Sequence, residues 1–256
     1  MAQSTTEKLT DELARSLFDG YTRRWSATRT QKIVDGNPTE PDISALIAAC
    51  IEDAGIAVTN FLSAAGRHNP DRENYDYYLV EAWESLVKEH VRSARTDGTG
   101  RTWIHPDIFV CRESKTTGKS EIVVAVELKR DAWVNYINCP TGAHPDYSNQ
   151  LVCYAHGCWL ENPADHPELT YVWLAPKEKL SDVAIEARAL SPDRDRLDRL
   201  NASEPAYERQ VEALATRWHR ATLEGLVEAL RTEAPKIADI IGAWGKIGSK
   251  NQCDQG

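Results

Sequence analysis

The chain lacks several features that would assign it to a class at once. It has 256 residues, with no apolar run near its start and no stretch of the roughly 18 apolar residues that a membrane-spanning helix needs. We therefore expect a cytoplasmic protein without a membrane partner. The phosphate-binding pattern GxxxxGK followed by Ser or Thr is also missing, so the sequence predicts no bound nucleotide.

The paired cysteine spacings of a zinc site are missing as well. The chain has six cysteines, and its densest group is Cys153, His156 and Cys158. A tetrahedral zinc site needs a second pair of ligands at short spacing, and the sequence contains none. Because isolated cysteine and histidine side chains commonly lie in the core, we expect buried thiols and no structural zinc ion.

Positive charge is scarce. The chain has 30 Lys and Arg against 39 Asp and Glu, so its net charge is −9. A chain with this charge does not hold a polyanion through its overall field. Any contact with nucleic acid must therefore come from a local group of basic side chains.

The apolar residues that are present change their spacing along the chain. Helical patterns predict helices over about 8–19, 42–62, 75–94, 147–160 and 206–232. Runs rich in β-branched and aromatic residues predict strands over 101–112, 121–130 and 169–176. This order predicts an α/β fold with one mixed β-sheet flanked by helices. The expected regions are a helical one over 1–74, the core over 75–190 and a C-terminal helical one over 191–256, packed on the core.

Three side chains suited to chemistry lie on one predicted hairpin. Asp107 follows Pro106 at the start of the first strand, and Glu127 and Lys129 lie at the end of the second. Side chains alternate along a strand, so Glu127 and Lys129 share a face, and antiparallel pairing brings Asp107 beside Glu127. Two buried carboxylates need a compensating cation, and a divalent metal with a nearby lysine suits phosphodiester hydrolysis. The alternative is a simple ion pair between Glu127 and Lys129 at a sheet edge.

These residues resemble the PD-(D/E)XK signature of restriction endonucleases and RecB-like nucleases, with Pro106-Asp107 followed by Glu127-Leu128-Lys129. Downstream, Gln150 and Tyr154 resemble the Q-x-x-x-Y motif of the RecB-like branch. The resemblance implies a restriction-endonuclease-like core of order α-β-β-β-α-β over about residues 75–176.

The resemblance also implies a glutamate from the first helix of that core. We take Glu84 for this position, because it flanks the apolar face of the predicted 75–94 helix, and Glu81 is the rival. Some RecB-like members carry an iron–sulfur cluster, but only Cys253 remains in the tail here, so no cluster is expected.

The function that the resemblance implies is metal-dependent hydrolysis of DNA. Asp107 and Glu127 would bind Mg²⁺, with Mn²⁺ as a substitute, Lys129 would serve the attacking water, and Gln150 and Tyr154 would orient the site. An endonuclease with a restriction or defence role is the first interpretation, and a repair or phage-type exonuclease is the nearest rival. A catalytically inactive nucleic-acid-binding or scaffold protein on the same fold is the alternative from another class.

Two groups of basic residues are candidates for the local DNA contact. The first group has no acid among its members and is interleaved with aromatic rings; its cations are Arg23, Arg24, Arg29 and Lys32. A helix end with solvated arginines explains this group equally well. The second group is Arg112, Lys115 and Lys119, on the predicted hairpin turn.

Cleavage of both DNA strands needs two hydrolytic events, so we predict a homodimer with two-fold symmetry. The predicted 206–232 helix carries an apolar stripe that could form the interface: Val211, Leu214, Trp218, Leu226 and Leu230. The same stripe could instead cover the sheet.

Overall fold

A computed structural model describes the chain in separate ranges. They are residues 32–33, 38–67, 70–81, 90, 94–96, 100–102, 105–130, 136–137, 148–149, 154, 159–179 and 218–250. The helices in these ranges are α1 (Glu40–Ala54), α2 (Ile56–Ala64), α3 (Leu223–Leu230) and α4 (Pro235–Lys250), with 3-10 turns at Pro163–Asp165 and Lys177–Lys179. None of these helices is long and apolar enough to cross a membrane.

The strands in the same ranges form one large sheet and two small pairs. In chain order they are β1 (Tyr75–Glu81), β2 (Ala94–Thr96), β3 (Gly100–Thr102), β4 (Ile108–Ser114), β5 (Ser120–Leu128), β6 (Tyr136–Ile137), β7 (Ser148–Asn149), β8 (Thr170–Ala175) and β9 (Trp218–Thr222). The large sheet has the order β1-β4-β5-β8-β9, while β2 pairs with β3 and β6 with β7. The chain is therefore an α/β protein with a mixed sheet flanked by helices, as the sequence predicts.

The directions of the strands in the large sheet determine which residues meet at each end of the strands. β1, β4 and β5 are antiparallel neighbours, whereas β8 and β9 continue the sheet parallel to β5. The carboxyl ends of β5, β8 and β9 therefore lie at one end of the sheet, together with the start of β4. Asp107, Glu127 and Lys129 lie at this end of the sheet.

Apolar residues cover both faces of the sheet. The four helices pack on one face, which we call the helical face, and their core residues include Leu46, Phe61 and Trp244. The opposite face, which we call the aromatic face, includes Phe109, Tyr154, Trp159 and Tyr171, and the ring of Phe109 stacks on that of Trp159 at 5.2 Å between centroids. Burial on both faces explains why β5 is almost continuously apolar rather than alternating.

The pairing of β4 with β5 contains a bulge, and the side chain of His166, shortly before β8, contacts its backbone. Val110 pairs with Val124 but Cys111 pairs with Ile122, so the register shifts between them. The freed backbone N–H of Ile122 donates to Nδ1 of His166 at 3.1 Å. His166 is buried, so it supplies a hydrogen-bond acceptor that the interrupted ladder no longer provides.

The predicted helix over 75–94 is wrong where the structure describes it, because Tyr75–Glu81 is the strand β1. The segment YDYYLVE is rich in tyrosine, and its apolar residues fit a period of two as well as a helical spacing. Pairing with β4 along its whole length decides between the two. Residues 82–89 lie outside the described ranges.

The predicted helix over 42–62 is two helices. Gly55 separates α1 from α2 and has φ of 60°, in the left-handed region that favours glycine. The hydropathy pattern continues across the break, so the pattern alone did not reveal it.

The predicted helix over 206–232 is wrong at residues 218–222, which form β9, the edge strand of the large sheet. The C-terminal region is therefore not only helical. The helix predicted over 147–160 is also wrong at Ser148–Asn149, which form β7. The predicted strands over 121–130 and 169–176 are confirmed as β5 and β8, and the one over 101–112 is divided between β3 and β4. The predicted helix over 8–19 lies outside the described residues.

Candidate functional site

The start of β4 and the end of β5 bring two carboxylates together. The backbone N–H of Asp107 donates to the carbonyl oxygen of Val126 at 2.9 Å, and the N–H of Leu128 donates to Asp107 Oδ2 at 2.9 Å. These two hydrogen bonds hold Asp107 beside Glu127. The register in which Ile108 faces Val126 extends to this pair, so both side chains belong to the aromatic face.

Lys129 joins the two carboxylates from the position directly after β5. Its ammonium nitrogen Nζ is 2.7 Å from Glu127 Oε1 and 3.7 Å from Glu40 Oε2. Its backbone N–H donates to the carbonyl oxygen of Leu174 at 2.9 Å, which continues the pairing with β8 past the end of β5. Lys129 is buried, so a cation is enclosed between acids at the end of the sheet.

Burial dominates the protonation of the carboxylates. It raises the pKa of Asp107 to about 6, and Lys129 and the Leu128 hydrogen bond only partly oppose this shift. Burial and the negative charge of Asp107 raise the pKa of Glu127 to about 8, again against Lys129. Since the two acids are close, they take up protons as a pair rather than independently.

The lysine responds in the opposite direction. Burial by itself lowers the pKa of Lys129, but the negative charges of Glu127, Asp107 and Glu40 outweigh it and raise the pKa above its ordinary value. Lys129 therefore stays protonated at neutral pH. Additional positive charge would stabilise the ionised forms of the acids. The protonated Lys129 cannot act as a base.

Glu40, in the first turn of α1, is the acid that sequence reasoning missed. Besides its contact with Lys129, its Oε1 accepts the backbone N–H of Arg130 at 3.0 Å. The start of α1 is held by Asp42, whose Oδ2 accepts the backbone N–H of Thr39 at 2.9 Å. The pattern Thr39-Glu-Pro-Asp42 marks a helix start in the sequence, but nothing local links it to residues 90 positions later.

The two glutamates predicted for the first helix are not on a described helix. Glu81 ends β1 and pairs with Ile108, which belongs to the helical face, so Glu81 and Asp107 lie on opposite faces. Glu81 is buried, and its charge is close enough to contribute to the raised pKa of Asp107. Glu84 lies outside the described residues.

Of the predicted Q-x-x-x-Y pair, only Tyr154 is described. Its hydroxyl donates to the carbonyl oxygen of His105 at 2.9 Å, two residues before Asp107. The ring of Tyr154 is buried in the aromatic face, so it ties that face to the segment that carries Asp107. Gln150 lies outside the described residues, as do Cys153, His156 and Cys158.

His105 itself is held next to the site without joining it. Its Nδ1 lies 2.9 Å from the carbonyl oxygen of Pro106, and burial lowers the pKa of its imidazole. A neutral ring engaged with its own backbone positions the turn before β4.

Of the basic residues predicted to contact DNA, Arg23, Arg24 and Arg29 lie outside the described residues. The lysines form contacts within the protein. Lys32 Nζ is 3.3 Å from Asp42 at the start of α1. Lys115 donates to the carbonyl oxygen of Arg72 at 2.6 Å, and Lys119 Nζ is 3.9 Å from Asp165.

Lys115 and Lys119 are also distant from the carboxylates. They lie on the turn between β4 and β5, whereas Asp107 and Glu127 lie at the other ends of these strands. At about 3.3 Å per residue, the separation is on the order of 25 Å. Their contact with DNA stays a prediction, but any such contact is remote from Asp107.

The donor set matches a hard divalent ion. In the part of the chain that the structure describes, no group of three or more His, Cys, Asp or Glu side chains is arranged to hold a metal ion. Mg²⁺ requires only one or two protein carboxylates, since waters and phosphate oxygens complete its shell. Asp107 and Glu127 meet this smaller requirement with oxygen ligands alone, as Mg²⁺ and Mn²⁺ prefer.

Comparisons of the chain with protein-family models, with curated protein sequences and with solved structures find no match. The function must therefore be inferred from the geometry of the described residues.

Proposed function

We propose that the chain is a metal-dependent nuclease that hydrolyses DNA phosphodiester bonds, first of all an endonuclease with a restriction or defence role. The observation that carries the proposal is the enclosed group of Asp107, Glu127 and Lys129 at one end of the sheet. The buried Glu127 and the partly buried Asp107, both with raised pKa values, lower the stability of the fold at neutral pH. Perturbed groups of this kind cluster at functional sites, which favours chemistry over packing as their reason.

The strand order supports the same proposal. The strands β1, β4 and β5 of the large sheet are followed by β8, which agrees with the strands in the order α-β-β-β-α-β that the resemblance to PD-(D/E)XK nucleases implies. Helices α1 and α2 precede these strands. Because Glu40 of α1 contacts Lys129, it is a further candidate for the helix glutamate that the resemblance implies, beside Glu84, which lies outside the described residues.

In the proposed reaction Asp107 and Glu127 would hold Mg²⁺ or Mn²⁺, which would supply Lewis-acid stabilisation of the charge that develops on the phosphate. Lys129 keeps its proton, so it orients the attacking water as a hydrogen-bond donor and offsets negative charge on the phosphate. Glu40 holds Lys129 and the backbone of Arg130, and Tyr154 holds the segment before Asp107.

One observation favours the rival of another class, a catalytically inactive nucleic-acid-binding or scaffold protein. Lys129 forms ion pairs with Glu127 and Glu40 within the protein itself, and such a set can be retained for structure alone. The two proposals differ in whether bound nucleic acid is cut.

The test incubates the purified protein with supercoiled plasmid, linear DNA and RNA, each with Mg²⁺, Mn²⁺ or EDTA. An endonuclease nicks or linearises the plasmid, whereas an exonuclease degrades only the linear DNA. Asp107→Asn, Glu127→Gln and Lys129→Met should each lower the cleavage rate by about a hundredfold or more, the size expected for a group that stabilises the transition state.

The matched control is Glu121→Gln, the same change on the same strand in an ion pair with Arg112 at 2.6 Å. Its cleavage rate should stay within a factor of about two once the folded fraction is equal. Binding without cleavage under every condition would support the inactive protein. Cleavage that persists in both Asp107→Asn and Glu127→Gln would mean that the metal is held elsewhere.

A further inference from the structure

An acidic nuclease has to overcome repulsion of its substrate at the site itself. The net charge is −9, and three of the acids that contribute to it, Asp107, Glu127 and Glu40, lie in one cluster at the site. Lys129 is buried among these acids, and its single positive charge offsets only one of them. A phosphate backbone therefore needs further cations at this end of the sheet.

Arg130 supplies one such cation on the helical face. It follows Lys129 directly, and its backbone N–H is held by Glu40. Its guanidinium lies over the ring of Trp244, 5.1 Å from the centroid. Trp244 is itself fixed, since it is buried in the core and its Nε1 donates to the carbonyl oxygen of Pro38 at 3.1 Å. The cation is thus pre-positioned on a rigid aromatic surface.

Arg220 supplies a second cation on the aromatic face. The register places Glu127 opposite Trp173 and Trp173 opposite Arg220, so these three residues form one row on one face across β5, β8 and β9. Arg220 is exposed at the edge strand. Two strand spacings put its Cα about 10 Å from that of Glu127.

The spacing suits a nucleic-acid backbone. Successive phosphates of one DNA strand lie farther apart than their advance of about 3.4 Å along the helix axis, because the strand also winds around that axis. A Cα separation of about 10 Å therefore suits a contact roughly one to three nucleotides from the scissile bond. Arginine presents a planar fork of donors that matches two phosphate oxygens at once. Arg220 lies on the face that carries the carboxylates, two strands away, and Arg130 lies three residues beyond Glu127 on the opposite face.

We infer that Arg130 and Arg220 each bind a backbone phosphate of the substrate near the scissile bond, a role that rests on the proposed nuclease function. The two arginines position the substrate, and they take no part in bond breaking. Their loss should raise KM and leave kcat nearly unchanged.

The experiment measures binding of a short fluorescent DNA duplex by anisotropy in Ca²⁺ and in EDTA, between about 50 and 200 mM salt. Arg130→Gln and Arg220→Gln should each weaken binding about tenfold and reduce the slope of log affinity against log salt by about one. The double variant should reduce the slope by about two. The lysine variants Arg130→Lys and Arg220→Lys keep the charge and should restore the slope.

Arg231→Gln is the matched control, because Arg231 is exposed and lies at the far end of α3, next to Glu228 and Asp239. Thermal melts of each variant show whether losing the contact with Trp244 has loosened α4. Slopes and affinities equal to those of the wild type in both glutamine variants would overturn the inference, and so would an equal loss in Arg231→Gln. A wild-type protein that neither binds nor cleaves any nucleic acid would instead overturn the proposed function.

Discussion

At the scale of single residues, the ionised carboxylates of the site are expected to lower the free energy of unfolding of the metal-free protein. The folded-state pKa of Asp107 is raised above its ordinary value, so the folded protein binds more protons than the unfolded chain between about pH 4 and 6. Stability therefore falls as pH rises through this window. Asp107→Asn keeps an oxygen for the Leu128 N–H and removes the charge. It should raise the free energy of unfolding at about pH 8 by up to about 3 kcal/mol.

Denaturant unfolding of the metal-free protein at acidic and alkaline pH measures this gain. Asp76→Asn is the control, since the side chain of Asp76 is 74% exposed on β1 and pairs only loosely with Lys115 at 3.4 Å. This variant should change stability by less than about 0.5 kcal/mol. Equal stability of Asp107→Asn and wild type at alkaline pH would show that Asp107 is well solvated.

Glu40 contributes to the site through two interactions that substitutions can separate, a hydrogen bond to the Arg130 backbone and a charge interaction with Lys129. Glu40→Gln keeps an acceptor for the Arg130 N–H but removes one of the negative charges that raise the pKa of Lys129. We expect a tenfold or greater loss of cleavage rate, on the order of a misplaced catalytic group, with little change in the melting temperature. Glu40→Ala removes both interactions and should lower the melting temperature as well. Unchanged rates in both variants would exclude Glu40 from the site.

At the scale of elements, the bulge between β4 and β5 depends on one histidine. His166→Leu leaves the buried Ile122 N–H without its acceptor and should destabilise the fold by about 1–3 kcal/mol. Burial and the nearby ring of His90 lower the pKa of His166 to about 4. Stability from this contact is therefore complete above about pH 6.5 and is lost as pH falls toward about 4, because the unfolded chain takes up the proton first.

The variant should lose that part of the acid dependence, which unfolding curves at several pH values would measure. His219→Leu is the control, because His219 is half-buried on the edge strand β9. An acid dependence identical in His166→Leu and wild type would show that other groups cause it.

At the scale of the whole molecule, the surface predicted for dimerisation is used by the core. Leu226 and Leu230 are buried in the helical face, and Trp218 lies on β9 against the aromatic face. Val211 and Leu214 lie outside the described residues. The homodimer stays a prediction, and its interface must be formed at least in part by other residues. Light scattering distinguishes a dimer from a monomer of 28.7 kDa. A monomer with and without DNA would contradict the prediction, and it would favour an exonuclease or an enzyme that nicks plasmid before linearising it.

The sequence by itself determined the hairpin that carries Asp107, Glu127 and Lys129. Strand alternation and antiparallel pairing are local rules, and both residues of the pair lie within one short hairpin, so their neighbourhood follows from spacing. The buried strands β5 and β8 were also predictable, because short apolar runs rich in β-branched and aromatic residues favour strands over helices.

Tertiary structure alone decided the remaining features. Tyr75–Glu81 fits two periodicities, and the pairing with β4 selects the strand. Glu40 reaches Arg130 across 90 positions, and Trp244, which carries the Arg130 guanidinium, is anchored to Pro38 across 206. Contacts at such separation arise from the packing of α1 and α4 on the helical face. No local pattern encodes that packing, because residues far apart in sequence meet only when the core closes.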